Sequence, residues 1–192
     1  MIRFLYDLTM RLAVHRWALP LLAVISFLES SVFPIPPDVM LIPMVLAQPR
    51  RAFLIAGICL LASVLGGLLG YIVGALAFDQ FGAPILQFFG QEHAADEFIK
   101  TYNQYGAWAV LFAGLTPFPY KIITILSGAT GLSLPVFVVS SVIARGIRFY
   151  LIAILLWRYG GSIKPLIEKH LGLVFTLALV LLGTIYLLAK IL

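Results

Sequence analysis

The sequence predicts an all-α integral membrane fold: two opposed, proline-broken re-entrant hairpins forming an inverted repeat, three transmembrane helices, and interfacial amphipathic helices. Three observations predict it. Of 192 residues, 62% are apolar and only 11% charged. A soluble domain runs near 45–50% apolar and about 25% charged, so this chain cannot clothe a water-facing surface. Two proline clusters interrupt apolar stretches at corresponding places, and several ionisable residues lie inside those stretches. At roughly 20 apolar residues per crossing, the chain furnishes about five passes and leaves no room for a soluble domain. It reads as one membrane domain over 1–192.

The element order follows from local pattern. In 1–16, Arg3, Asp7, Arg11 and His15 recur every fourth residue, opposite Ile2, Leu5, Leu8 and Leu12. Such a helix lies on a membrane rather than across it. It is not read as a cleaved signal peptide, because Pro20 and Glu29 interrupt the following apolar region. Residues 18–49 form the first hairpin. Pro34, Pro36 and Pro37 remove three backbone donors within four residues, so a continuous helix must stop there. Each arm is too short or too polar to span, and a re-entrant path fits better. Residues 52–78 carry no charge and are the cleanest crossing; Gly66, Gly70 and Gly74 place tandem GxxxG spacing on one face, a site of close approach for another helix, including one from a second copy. Residues 79–106 turn polar, with aromatics interleaved among Asp79, Glu92, Asp96 and Glu97, as an interfacial segment would be.

Residues 107–133 repeat the first oddity. An offset of 83 lays Pro34 on Pro117, Pro36 on Pro119 and Asp38 on Lys121. Gly128 and Gly131 are expected to let this second hairpin turn. Two broken hairpins, each feeding a crossing helix with serine and small residues early in it, are the sequence sign of an inverted repeat and point to a site near the midplane. Residues 135–157 and 171–189 are the second and third crossings. If the first hairpin opens to the cytoplasm, Arg3, Arg11, Arg16, Arg50, Arg51, Arg158, Lys164 and Lys169 all lie inside, leaving Lys100 and Lys190 outside. The N-terminus is then in and the C-terminus out. Trp17, Trp108 and Trp157 fall near segment ends, where the interfacial belt sits.

The net charge of +5 does not imply nucleic acid, since the bases lie singly or in pairs, never in a run beside stacking aromatics. Cys59 is alone, and His15, His93 and His170 are too far apart for a local metal site, so no metal or cofactor is expected.

Five ionisable residues remain at membrane depth: Glu29, Asp38, Lys121, Arg145 and Arg148. Each would cost at least about 2.5–3.5 kcal/mol at the bilayer centre, so they must pair or line a wet cavity. Two acids and three bases leave one surplus positive charge, suited to an anion such as phosphate. Lys121, Arg145 and Arg148 are therefore candidate ligands of a lipid phosphate, and Glu29 and Asp38 candidate proton carriers. The blander reading is that Arg145 and Arg148, three apart on one helix face, merely pair with the acids and hold the hairpins together. Glu29 could equally satisfy orphan hairpin amides, and Asp38 could cap the arm it precedes.

The stretch from Phe27 to Pro43, the glycine-rich helix after it, and the run from Thr116 to Lys121 together resemble the DedA family of bacterial inner-membrane proteins, whose VTT domain is shared with eukaryotic lipid scramblases. The likeness runs over roughly 19–158 and is nearest to the YqaA-like branch. The resemblance implies two opposed re-entrant hairpins flanked by crossing helices, and movement of lipids such as undecaprenyl phosphate or phospholipid linked to the proton gradient. Glu29 and Asp38 match the family's acids before and after the first break. Of the F-x-R-x-x-P-x-x-R pattern that many members carry in the second hairpin, Phe112 and Pro117 match, while Gly114 and Tyr120 replace the arginines.

A membrane lipid translocase is the first functional expectation. A small-solute or ion secondary transporter using the same cavity is the second, and a non-catalytic membrane assembly factor the third. An enzyme is not expected: there is no HExxH, no GxSxG and no histidine within a predicted span.

Overall fold

The computed structural model describes Ala13 and residues 15–31, 36–78, 80, 92–116 and 118–169, with side chains described as far as Gly160 except over 92–95. Most of the expected 1–16 helix, Pro34, Pro117, much of the 79–106 segment and the expected third crossing at 171–189 lie outside the described residues. No strand occurs among them. The helices are α1 (Ala18–Ser31), α2 (Asp38–Ala47), α3 (Ala52–Ala77), α4 (Glu92–Leu115), α5 (Tyr120–Ala129) and α6 (Leu134–Lys169), with a 3₁₀ turn at Pro49–Arg51 leading into α3.

Two helices are long and apolar enough to cross a bilayer, Pro49–Ala77 and Leu134–Gly160. Their outward faces carry exposed Leu61, Leu65, Leu69, Ile72 and Leu76 on α3, and Val139, Ile143, Ile147, Leu151 and Ile154 on α6. The buried face of α3 carries Ser63 and four glycines. Apolar outside and small or polar inside is the arrangement a lipid solvent favours. Trp17, Trp108 and Trp157 are all exposed.

Each proline cluster separates two helices, as the sequence requires. The second member of each pair, α2 or α5, has 10 residues, or about 15 Å at 1.5 Å per residue. That is half of a hydrocarbon core about 30 Å thick. The helix before the second break differs from expectation. α4 runs without interruption through Gly106, where a junction between an interfacial segment and the hairpin was expected. Leu132 covers Gly106, and the lack of a side chain there admits its methyl groups.

The helices on either side of the breaks interlock. The helix before each break packs on the long helix that follows that break in the chain, α1 on α3 and α4 on α6. The short helices after the breaks are exchanged: α5 packs on α3, and α2 mainly on α6. Glycines set these distances. A Cβ on Gly66 would overlap the backbone of Phe27, and one on Gly74 would overlap the backbone of Ile125. The Gly66, Gly70 and Gly74 face is thus filled by α1 and α5 of the same chain.

Hydroxyls and amides stitch the same seams. Ser26 Oγ donates to the Cys59 carbonyl at 2.7 Å, and Tyr71 Oη to the Leu132 carbonyl at 2.5 Å. α5 ends in a Schellman motif, the Gly131 and Leu132 amides donating to the Gly128 and Ser127 carbonyls. Gly131 takes φ of 65°, the left-handed region open to glycine at little cost. It alone makes the turn. Gly128 serves close packing instead, lying against the Tyr71 backbone.

Candidate functional site

α6 presents Arg145 and Arg148 one turn apart, toward the two proline breaks. Arg145 lies 11 residues into α6, roughly 16 Å along its axis and so near the middle of the span. It is 1% exposed and the largest fully buried side chain among the described residues. A lone guanidinium there would be prohibitive, and the structure compensates it on every side. Nη2 donates to Glu29 Oε2 at 2.5 Å, and Nε to Ser63 Oγ at 2.7 Å. Ser63 and Ser30 share a hydrogen bond at 2.7 Å, and Ser30 Oγ donates to Glu29 at 3.1 Å. The rings of Tyr120 and Phe149 flank the guanidinium, each centroid 4.7 Å from its central carbon. Such contacts are worth about 2 kcal/mol when desolvated. Tyr120 is itself held, its hydroxyl donating to Ser141 at 2.5 Å.

Arg148 ties the two breaks together. Its Nη2 pairs with Asp38, which opens α2 just past the first break, and its Nη1 donates to the Thr116 carbonyl at 2.6 Å, just before the second. Both charged side chains are partly accessible, 19% for Arg148 and 18% for Asp38. Asp38 Oδ1 is buried without a hydrogen-bond partner. Asp38 is the first residue of α2 and makes no side-chain cap, so the capping role gives way to the ion pair. A third tie, Thr124 Oγ1 to the Ser30 carbonyl at 3.1 Å, joins α5 to the end of α1.

Four of the five expected membrane-depth charges therefore meet as two pairs, Glu29 with Arg145 and Asp38 with Arg148. Arg145 and Arg148 each pair with one of the two acids, a contact that either reading of them allows. Lys121 is half-buried at the start of α5, one residue past the Tyr120 ring that covers Arg145. Pro36, Pro37 and Pro119 stand at the breaks. Sequence reasoning missed Ser30, Ser63, Tyr120 and Phe149. Their signal was faint: small hydroxyls facing an expected arginine, and aromatics indistinguishable from core. The two positions at which the resemblance would set arginines, Gly114 and Tyr120, are closed here. A Cβ on Gly114 would press on the Ala144 methyl, and Tyr120 is wholly buried. No group of three or more His, Cys, Asp or Glu side chains suited to a metal converges among the described residues.

The VTT domain matches residues 35–158. An uncharacterized protein of Haemophilus influenzae is 34% identical over 186 residues, covering 97% of this chain and 96% of its own. An uncharacterized protein of Histophilus somni is 36% identical, covering 97% of each. No solved structure gives a significant match. With paired proline breaks, swapped arms and a matched segment that holds Asp38, Lys121, Arg145 and Arg148, the chain belongs to the VTT domain family, the DedA family of membrane proteins.

Proposed function

We propose that the protein is a lipid translocase of the flippase or scramblase type, moving a phosphate-bearing lipid such as undecaprenyl phosphate or a phospholipid across the bacterial inner membrane. It makes and breaks no covalent bond in doing so. The two broken segments act as re-entrant hairpins facing each other, in a multi-pass arrangement with α3 and α6 as crossings. One observation carries the reading: Arg148 joins Asp38 at one break to Thr116 at the other, one turn from the buried Glu29–Arg145 pair.

The pairs hold the closed state. Ionised Glu29 and Asp38 keep Arg145 and Arg148 occupied, and the breaks stay joined. Protonating both acids raises the charge of the five-residue cluster from +1 to +3. A phosphate entering between the breaks then takes Lys121, Arg145 and Arg148 in charge-assisted hydrogen bonds, while its hydrocarbon tail remains in the bilayer. Deprotonation returns the bases to the acids and expels the phosphate. The proton gradient thereby biases the cycle.

The test is movement of labelled undecaprenyl phosphate or phospholipid in proteoliposomes under an imposed pH gradient. Wild type should outpace empty vesicles and Glu29→Gln should not. Wild-type rates no greater than those of empty vesicles would sink the proposal. Gradient-driven uptake of a small solute without lipid movement would favour the secondary-transporter reading instead.

A further inference from the structure

A second cluster of positive charge lies away from the proline breaks, where the chain passes from α2 into α3. Here α2 ends at Ala47, the 3₁₀ turn carries Arg50 and Arg51, and the residues just before α1 fold back alongside. Gln48 fastens them, its Nε2 donating to the Ala13 carbonyl at 3.2 Å across 35 residues. Two adjoining hollows result and share Gln48 and Arg51. One is an open bowl of about 650 Å³ lined also by Arg50 and Pro49. The other is a notch of about 90 Å³ reaching past His15 and Arg16 to an apolar floor of Leu19, Met44 and Ile55.

Three properties define what fits. Arg16, Arg50 and Arg51 are exposed, no acid lines either hollow, and neither ion pair of the described residues involves them. Among the described residues, no acid offsets this charge. The cluster also stands at the end of a bilayer-crossing helix, beside Trp17, which is 61% exposed and has the Arg16 guanidinium 5.7 Å from its ring. That is the level at which headgroups lie. Finally, cationic walls over an apolar floor match an amphiphile, not a free anion.

We propose that the cleft formed by His15, Arg16, Gln48, Arg50 and Arg51 docks the phosphate headgroup of an anionic glycerophospholipid. The arginines take the phosphate oxygens, Gln48 holds the cleft in shape, and the apolar part of the lipid nearest the headgroup lies against half-buried Leu19. The positive-inside orientation places the cleft in the cytoplasmic leaflet, where anionic lipids attract basic clusters. The site is independent of the translocase reading.

The test uses the full chain purified in dodecylmaltoside, titrated separately with dioctanoyl-phosphatidylglycerol, dioctanoyl-phosphatidylcholine and inorganic phosphate, with bound lipids counted by native mass spectrometry. Phosphatidylglycerol should bind at least tenfold more tightly than phosphatidylcholine. The Arg16→Gln/Arg51→Gln double variant should lose roughly tenfold of that affinity, each single variant part of it. Lys100→Gln, at an exposed base on α4, should lose none. Equal affinity for the two lipids, or full affinity in the double variant, overturns the proposal. So does inorganic phosphate binding as tightly as phosphatidylglycerol, which would make the occupant a free anion. A loss seen only in the double variant, together with a lowered melting temperature, counts against it as a folding defect.

Discussion

Replacing Arg145 by Met tests whether the buried Glu29 pair is a mutual neutralisation. Arg145 is 1% exposed and the Glu29 side chain 12%, so removing the base strands a carboxylate in a nearly dry site. Breaking a buried pair from one side costs about 3–5 kcal/mol. Glu29→Gln leaves the guanidinium charged but keeps an acceptor oxygen for Nη2, and falls at the lower end of that range. The double variant strands neither charge. Ser30 and Ser63 still satisfy each other at 2.7 Å, and Met fills much of the slot between Tyr120 and Phe149. Its cost should therefore stay within about 2 kcal/mol, leaving a coupling energy of several kcal/mol between the two sites. The assay is reversible unfolding of all four chains in mixed micelles of dodecylmaltoside and dodecyl sulfate. Single variants costing under 1 kcal/mol each, or a double variant equal to their sum, would refute the reasoning.

Other consequences are as specific. Arg148→Lys keeps the charge but loses the planar fork that reaches Asp38 and the Thr116 carbonyl at once; lipid movement in proteoliposomes should fall at least tenfold while the chain still purifies folded. Gly74→Leu forces side-chain atoms into the Ile125 backbone and should cost about 1–3 kcal/mol in the same unfolding assay, with the oligomeric state by light scattering unchanged, because the face it blocks is internal. Tyr120→Phe loses only the bond to Ser141 and should cost about 1 kcal/mol, whereas Tyr120→Leu also strips one face from Arg145 and should cost about 2 kcal/mol more.

Much of this protein was legible without coordinates, because composition, hydrophobic run length and proline placement act locally. An apolar stretch of bilayer length, a donor lost at each proline and an 83-residue offset between breaks are properties of the chain itself. They gave the membrane class, both long apolar helices, the two breaks, the family, and the five residues whose charge had to be answered. Pairing was not legible. Glu29 and Arg145 are 116 residues apart, and either acid could have met any of the three bases. Only the packing of α1, α2, α3 and α6 against one another assigned Glu29 to Arg145 and Asp38 to Arg148. Gly66, Gly70 and Gly74 announced that a helix comes close, but small-residue spacing says nothing of whose helix it is. Likewise an aromatic in an apolar run reads as core until a guanidinium is found on its face, as with Tyr120 and Phe149. Sequence fixes which groups must find partners in a low-dielectric interior, since that cost belongs to each group alone; tertiary structure decides which partners they find, since that depends on distances no local pattern contains.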